Sequence, residues 1–232
     1  MARIYGYSDS EKTYLDNFPK QVRQIDDISP VYQQLKQEYH SADGILTWFK
    51  RWQKKRQINQ IIRAKKKYKH HYKGAIGETK VIEELSQLPN HYHVLCGVKI
   101  TLPYFIKYDG KKNLKSAQMD FVVVCKKGIY MIEVKNWHPE FAKNHNGFSP
   151  YEQTHRAGRI LWVYLQSWNS KAKVANVLLS INHGTFQYTE KYRHVLVTSL
   201  DRLAYFLENK PDILSDKQIK RTVKRLKGKV TK

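Results

Sequence analysis

Long hydrophobic runs are missing from this sequence. The longest, Ile160-Leu-Trp-Val-Tyr-Leu165, falls far short of the ~20 residues a membrane span needs. The N-terminus, Met1-Ala-Arg-Ile-Tyr-Gly-Tyr-Ser8, has no apolar h-region, so no secretory signal is expected. Cysteine is scarce. Cys96 and Cys125 both sit in apolar, strand-like surroundings, which excludes a disulfide framework and makes a reducing cytoplasm the simplest setting. Internal repeats, low-complexity tracts and Gly/Ser linkers are also missing, which argues against solenoids and flexible tethers. Above all, acid is short: 20 Asp+Glu stand against 42 Lys+Arg, a formal charge of +22.

An apolar share of 41% is enough for a core and excludes a wholly disordered chain. The 232 residues suit one domain with an appendage, or two small domains. The charge is unevenly spread. Residues 44–77 carry 11 basic side chains and no acid, and residues 213–232 carry 8 and one. Together they hold 18 of the 22 net charges and flank a nearly balanced body. Cationic segments of this kind favour a polyanion, because each neutralised phosphate releases condensed counterions. Lys54, Lys55, Arg56, Arg63, Lys65, Lys66, Lys67 and Lys69 are therefore the candidate nucleic-acid contacts, with Tyr68 and Tyr72 placed to stack or to pack. Anionic lipid is the minority reading, carried by the stripe Ile45, Trp48, Phe49, Trp52 beside Lys50, Arg51, Lys54 and Lys55.

Three segments are expected: a basic helical extension over 1–73, a core over 74–212, and a basic C-terminal helix over 213–232. In the extension, a helix is predicted near Val31–Tyr39 and a long basic one over Ser41–Tyr72, with Asp43-Gly44 as a break. The pair Gly74 and Gly77 reads as punctuation before a new helix over Glu78–Leu88. Strands are predicted at Tyr92–Leu102, Met119–Cys125, Ile129–Val134 and Arg193–Thr198, the last read as buried. Helices are predicted at Pro150–Trp168, Leu200–Glu208 and Ser215–Leu226. Strands mixed with helices around a small sheet give an α/β layered fold.

The chemistry centres on Asp120, Glu133 and Lys135. On a strand Glu133 and Lys135 share a face, while Val134 points into the opposite layer. The loop at Lys126-Lys127-Gly128 decides where Asp120 falls. A two-residue turn at Lys127-Gly128 sets it opposite 135, and one at Lys126-Lys127 sets it opposite 133. Either brings all three side chains to one face, ~5–8 Å apart across the strands. A three-residue loop would turn Asp120 away unless a bulge restored it. Two carboxylates, Asp120 and Glu133, with the main-chain carbonyl of Val134 make an oxygen-rich site for Mg²⁺, or Mn²⁺. Such an ion polarises a phosphodiester and acidifies water, and Lys135 beside it can handle that water's proton or steady the developing charge. Alone, the E-x-K pattern reads as an ordinary ion pair. Glu78 and Gln153 add weight, because each extends the core-facing stripe of its helix with a polar group. Buried polar groups are costly unless paired or coordinating.

These motifs carry a resemblance. Gly74-Ala-Ile-Gly77-Glu78, Leu88-Pro89-Asn-His-Tyr92-His-Val94-Leu95, Gln118-Met-Asp120-Phe-Val-Val-Val, Gly128-Ile-Tyr-Met-Ile-Glu133-Val-Lys135-Asn-Trp137 and Pro150-Tyr-Glu-Gln153 together resemble the nuclease-related domain family, NERD, a branch of the PD-(D/E)xK restriction-endonuclease-like superfamily. The resemblance covers residues 74–212. It implies a mixed β-sheet flanked by helices and Mg²⁺-dependent cleavage of DNA by a metal-dependent (endo)deoxyribonuclease, endo- and exonucleolytic action both being open. By position it gives Glu78 as the first-helix acid, Asp120 and Glu133 as metal ligands, Lys135 as the catalytic lysine and Gln153 as the polar residue of the next helix. Trp137-His138-Pro139-Glu140 replaces the family's usual glycine after the aromatic, and Ser149-Pro150 replaces Asn-Pro. The resemblance leaves a homodimer open, and the sequence shows no exposed heptad. The rival is a non-catalytic nucleic-acid-binding protein that keeps the fold. His91-x-His93-x-x-Cys96 is too sparse for zinc, and His138, His145 and His155 lie near the motif in a histidine-rich chain.

Overall fold

The structure, a computed structural model, describes residues 1–43, 46–138, 140, 149–166, 173–182, 186 and 190–232. It forms two units, one of Asp9–Ile76 and one of Met1–Ser8 with Gly77–Lys232. Among the described residues there are seven α-helices and six strands.

The Asp9–Ile76 unit is helical: α1 (Asp9–Leu15), α2 (Ile28–His40), α3 (Thr47–Lys67) and the start of α4 (Lys69–Ser86). Its core gathers Tyr14, Phe18, Leu35, Ile61 and Ala64. The long basic helix of the sequence reading is two helices, parted at Tyr68, whose φ of −104° and ψ of 26° end α3. The expected break at Asp43-Gly44 and the side chain of Ile45 lie at or within residues 44–45, outside the described residues.

Gly74 and Gly77 do not punctuate the chain. Helix α4 runs straight through both. A Cβ on Gly74 would come within 2.8 Å of the Ser10 hydroxyl, and one on Gly77 within 2.9 Å of Asn136 Cβ. The glycines serve close approach by neighbours, and the helix absorbs their entropic cost, about 1 kcal/mol each relative to alanine.

The second unit is built on one mixed sheet in the order β1-β2-β3-β4-β5-β6. The strands are β1 (Arg3–Tyr5), β2 (His93–Tyr108), β3 (Lys111–Cys125), β4 (Gly128–Lys135), β5 (Val174–Ser180) and β6 (Val195–Ser199). Strands β2, β3 and β4 pair antiparallel; β1 joins β2, β5 joins β4 and β6 joins β5 in parallel. The first eight residues and the C-terminal helix belong to this unit rather than standing apart.

Alternation along β3 and β4 sorts the core into two layers. Val122, Val124, Ile129 and Met131 meet α5 (Pro150–Gln166) and α7 (Asp216–Leu226) through Ile160, Leu161, Ile219 and Val223. Phe121, Val123 and Ile132 meet α4 and α6 (Leu200–Glu208) through Val81, Leu85, Leu203 and Leu207. This is the mixed α/β sheet with flanking helices of the restriction-endonuclease-like architecture.

Three expectations need correction. Strand β5 was not foreseen, although Val174-Ala-Asn-Val-Leu-Leu-Ser180 is a fair strand sequence; its early half is only half-buried. Strand β6 is not buried: it lies at the sheet edge, with Leu196 and Val197 38% and 39% exposed. Strands β2 and β3 are longer than expected, because their outer halves form a solvent-exposed ribbon with little periodicity. The expected end of the Pro150 helix at Trp168 lies outside the described residues. Helix α7 begins as read, with Ser215 and Gln218 forming a reciprocal cap.

Candidate active site

The β3–β4 hairpin closes on Lys126-Lys127, since Cys125 pairs with Gly128. Of the two loops the sequence allowed, this one sets position 120 opposite 133. The antiparallel ladder stops at Phe121–Ile132, while β4 continues beside β5 through Glu133–Leu178, Val134–Leu179 and Lys135–Ser180. Strands β3 and β4 therefore part company where the acids begin. In the gap, Asp120 Oδ2 accepts a 2.7 Å hydrogen bond from the Val134 amide. The Ile181 amide donates to the Lys135 carbonyl at 3.1 Å and fixes the end of β4.

Glu133 is 2% exposed. Lys135 Nζ donates to Glu133 Oε1 and to Gln153 Oε1, both at 2.8 Å, and stands 5.7 Å from the centre of the Trp137 ring. Asp120, Glu133, Lys135 and Gln153 thus belong to one side of the sheet, under the first turns of α5. Val134 packs into the opposite layer, as alternation requires.

Glu78 comes from that opposite layer. It is 4% exposed on the buried stripe of α4, and its Oε2 accepts a 2.7 Å bond from the Ser8 hydroxyl. Its charge nevertheless reaches Asp120. The Asp120 carboxyl is pushed well above the ordinary aspartate range, first by burial, then by the charges of Glu133 and Glu78, against the opposing Val134 amide and Lys135. Glu133 is raised by burial, with Lys135 pulling it back. Three carboxyls share one nearby ammonium, which leaves an excess of negative charge in a largely dehydrated recess.

Among the described residues no group of three or more His, Cys, Asp or Glu is disposed to hold a metal, so the pair Asp120 and Glu133 is the donor set on offer. The Val134 carbonyl belongs to the same short stretch of β4. Ionised oxygens that repel one another are chemically suited to a small hard cation. His155 is not part of this group. It packs against His194, with ring centres 4.3 Å apart, and its Nδ1 is 2.9 Å from the Tyr108 hydroxyl. His138 is described but shows no bond to the acids, and His145 lies outside the described residues.

Sequence reasoning missed Ser8, some seventy positions from its partner, and missed the junction beneath it. Gly97, which the β2–β3 register sets opposite Asp120, has φ 59°. Thr231 closes over it: its amide donates to the carbonyls of Cys96 and Gly97 at 3.3 and 3.1 Å, and its hydroxyl to Gly97 at 3.1 Å. The Tyr7 amide donates to the Thr231 carbonyl at 3.3 Å, one residue before Ser8. Positive φ at glycine leaves no mark in sequence, although Gly97 inside an apolar strand was a signal that something approaches closely.

The candidate nucleic-acid contacts lie in the other unit. Lys55, Arg56, Arg63, Lys65, Lys66 and Lys67 are exposed along α3, and Lys69 is exposed at the start of α4. Lys54 is half-buried and paired with Glu38. Tyr72 contacts the Tyr14 ring at 5.5 Å, so it is engaged in packing.

Fold and recess together describe a protein of the restriction-endonuclease-like class, in which acids and a lysine meet where two sheet strands separate. Comparison with known proteins narrows this: residues 73–186, just under half of the chain, match the nuclease-related domain, NERD, whose general context is the PD-(D/E)xK superfamily. The match implies a nuclease-related function. No curated protein matches the chain. Among solved structures, the crystal structure of protein VC1899 from Vibrio cholerae is similar at a TM-score of 0.32 and 10% identity, over 98% of this chain and 59% of that one. The chain therefore spans about three-fifths of that protein's length. No helix among the described residues is long and apolar enough to cross a membrane.

Proposed function

We propose that this protein is a divalent-metal-dependent nuclease that hydrolyses phosphodiester bonds of DNA, with Mg²⁺ or Mn²⁺ as its ion. The observation that carries the reading is the excess of carboxyl charge around Asp120, in a recess that also contains a lysine held by Glu133 and Gln153. Asp120 and Glu133 would hold the ion, with the Val134 carbonyl beside them. When bound, the ion supplies Lewis acidity toward a phosphate oxygen and acidifies water.

The chain's own residues do the rest. Gln153 and Glu133 hold Lys135 Nζ at a fixed point, so that its ammonium can donate to an incoming water or to a phosphate oxygen that gains charge. The Val134 amide orients the Asp120 carboxylate. Ser8 orients Glu78, whose charge raises the basicity of Asp120. The basic residues of α3 supply grip on the phosphate backbone with little dependence on sequence.

The test is incubation of the purified chain with plasmid and Mg²⁺ or Mn²⁺. Nicking is expected, abolished by EDTA and reduced at least ~100-fold in Asp120→Ala, Glu133→Ala and Lys135→Ala. Variants that cut as well as the parent would refute the assignment. Salt-sensitive DNA binding with no cutting under any divalent ion would instead identify a non-catalytic binder that retains the fold.

A further inference from the structure

Helix α3 has two unlike sides. Ile61 and Ala64 face the core of its unit, 0% and 3% exposed. The outward side carries Trp48, Phe49 and Trp52, followed at helical spacing by Lys55, Arg56 and Arg63. The rings are not sheltered: Trp48 is 77%, Phe49 44% and Trp52 48% exposed. They neighbour one another, with Phe49 and Trp52 near-parallel at 6.0 Å and Trp48 6.5 Å from Phe49. The Arg56 guanidinium lies 5.8 Å from the Trp52 ring. No acid occurs anywhere in the helix.

We propose that this outward side of α3 is a binding surface for single-stranded nucleic acid, on which Trp48, Phe49 and Trp52 stack bases while Lys55, Arg56 and Arg63 take the phosphates. Open aromatic faces accept any base, and interleaved cations follow the backbone. Charge complementarity selects the polyanion. The mixture of rings and cations on one side selects bases over acyl chains. A helix lying in a membrane interface puts its rings on one side and its cations on the other. That division is closed to α3, whose inward side is taken up by its own unit, so burying the rings in hydrocarbon would carry Lys55 and Arg56 in with them, at a heavy desolvation cost. A duplex offers the cations phosphates but keeps its bases stacked and out of reach of the rings. The inference extends the nucleic-acid reading to a strandedness, and it does not depend on whether the acid–lysine recess cuts.

The experiment is fluorescence anisotropy of the full chain, in EDTA, with labelled single-stranded oligothymidylate and with a labelled duplex of equal length. Trp48→Ala/Phe49→Ala/Trp52→Ala is expected to weaken single-strand binding at least ~10-fold, given that one lost stacked base costs ~5- to ~150-fold. Its duplex affinity should change less than ~2-fold. Trp48→Phe/Trp52→Phe keeps the aromatic faces and should keep parental affinity, which separates stacking from folding. Lys55→Gln/Arg56→Gln should weaken both ligands and flatten the salt dependence by about one unit of slope for each phosphate no longer neutralised. Equal loss on both ligands, or no loss, would overturn the proposal. So would a triple variant that binds single strands normally but no longer floats with phosphatidylserine vesicles. A parent that binds neither nucleic acid would sink the proposal and the nucleic-acid reading together. Ring-dependent binding without any cutting would uphold the surface and remove the nuclease.

Discussion

Replacing Asp120 by asparagine is expected to make the metal-free protein more stable and its metal-loaded form no better. In the folded chain the Asp120 carboxylate faces the charges of Glu133 and Glu78 in a recess that burial has stripped of much of its water. Opposed strand positions bring such groups to ~5–8 Å, where like charges repel by ~2–3 kcal/mol at an effective dielectric constant of ~20. The attraction of Lys135, the weakest of the influences on Asp120, offsets part of this. About 1–2 kcal/mol of net relief remains. Asparagine keeps an oxygen to accept the Val134 amide, so that bond need not be lost. At ~2–4 °C per kcal/mol for a unit of this size, Tm in EDTA should rise by about 2–8 °C.

The same repulsion makes stability depend on pH. A carboxyl whose folded pKa lies above its unfolded value near ~4 keeps its proton longer in the folded chain. Its ionisation then subtracts stability as pH rises from ~4 through the raised pKa. The advantage of Asp120→Asn should therefore be full above the raised pKa and close as pH falls toward ~4. With Mg²⁺ or Mn²⁺ at ~100 times Kd, the parent should gain ~2.7 kcal/mol and the variant much less. Differential scanning fluorimetry across pH, with and without the ion, reads all three effects. A variant that melts below the parent in EDTA, or that responds to the ion as the parent does, would refute the charge argument.

Three further outcomes follow from single contacts. His155 is held down to about 4, first by burial and then by the charge influence of His194, Arg159 and Lys191. An unfolded histidine takes its proton from pH ~6.5 downward while this one resists, so stability should fall between ~6.5 and ~4; the full shift equals ~3 kcal/mol, which partial exposure reduces to ~1–2. Urea titrations of parent and His155→Gln should diverge over that window, and parallel pH profiles would count against the assignment. Gly97→Ala would put a Cβ 2.3 Å from the Thr231 hydroxyl oxygen at a φ of 59°, for a loss of ~2–4 kcal/mol. Adding Thr231→Gly should relieve the clash and leave ~1–2 kcal/mol of backbone strain; no recovery in the double variant would contradict the steric account. Ser8→Ala removes a hydroxyl donor from the buried Glu78 carboxyl and should cost ~1.5–3 kcal/mol in urea titrations, with slower plasmid nicking. Unchanged stability and nicking would show that the Ser8–Glu78 bond does no positioning.

Local, periodic features were legible in the sequence, and distant ones were not. The β3–β4 hairpin could be read because β-branched and aromatic runs flank a short polar loop, and strand geometry alone places Glu133 with Lys135 and sends Val134 the other way. The α5 stripe was legible for the same reason, and Gln153 duly meets Lys135. Glycine misled at 74 and 77, because a residue without Cβ signals either a break or a close neighbour, and only coordinates distinguish them. Strand β1 was invisible: three residues carry no period. Ser8, Gly97 and Thr231 could not be joined from sequence: Gly97 and Thr231 lie 134 positions apart and meet through bonds to the Gly97 main chain, which side-chain identity does not encode.

The location of the recess follows from these long-range contacts as much as from the motif. Gly97 sits opposite Asp120 on one side with its backbone turned to positive φ, and on the other side the ladder to β4 stops one residue short of it. A strand residue in such a place lacks regular cross-strand neighbours to pack its side chain, so a carboxylate there can turn toward the free Val134 amide rather than lie between paired strands. Thr231 holds Gly97 in that conformation and tethers Tyr7, which places Ser8 against Glu78. The two chain ends therefore meet beside Gly97, on the β2 side of Asp120. This means that the C-terminal Val230-Thr231 segment, which the sequence presents as the end of a basic tail, is structural support for the acids of the sheet.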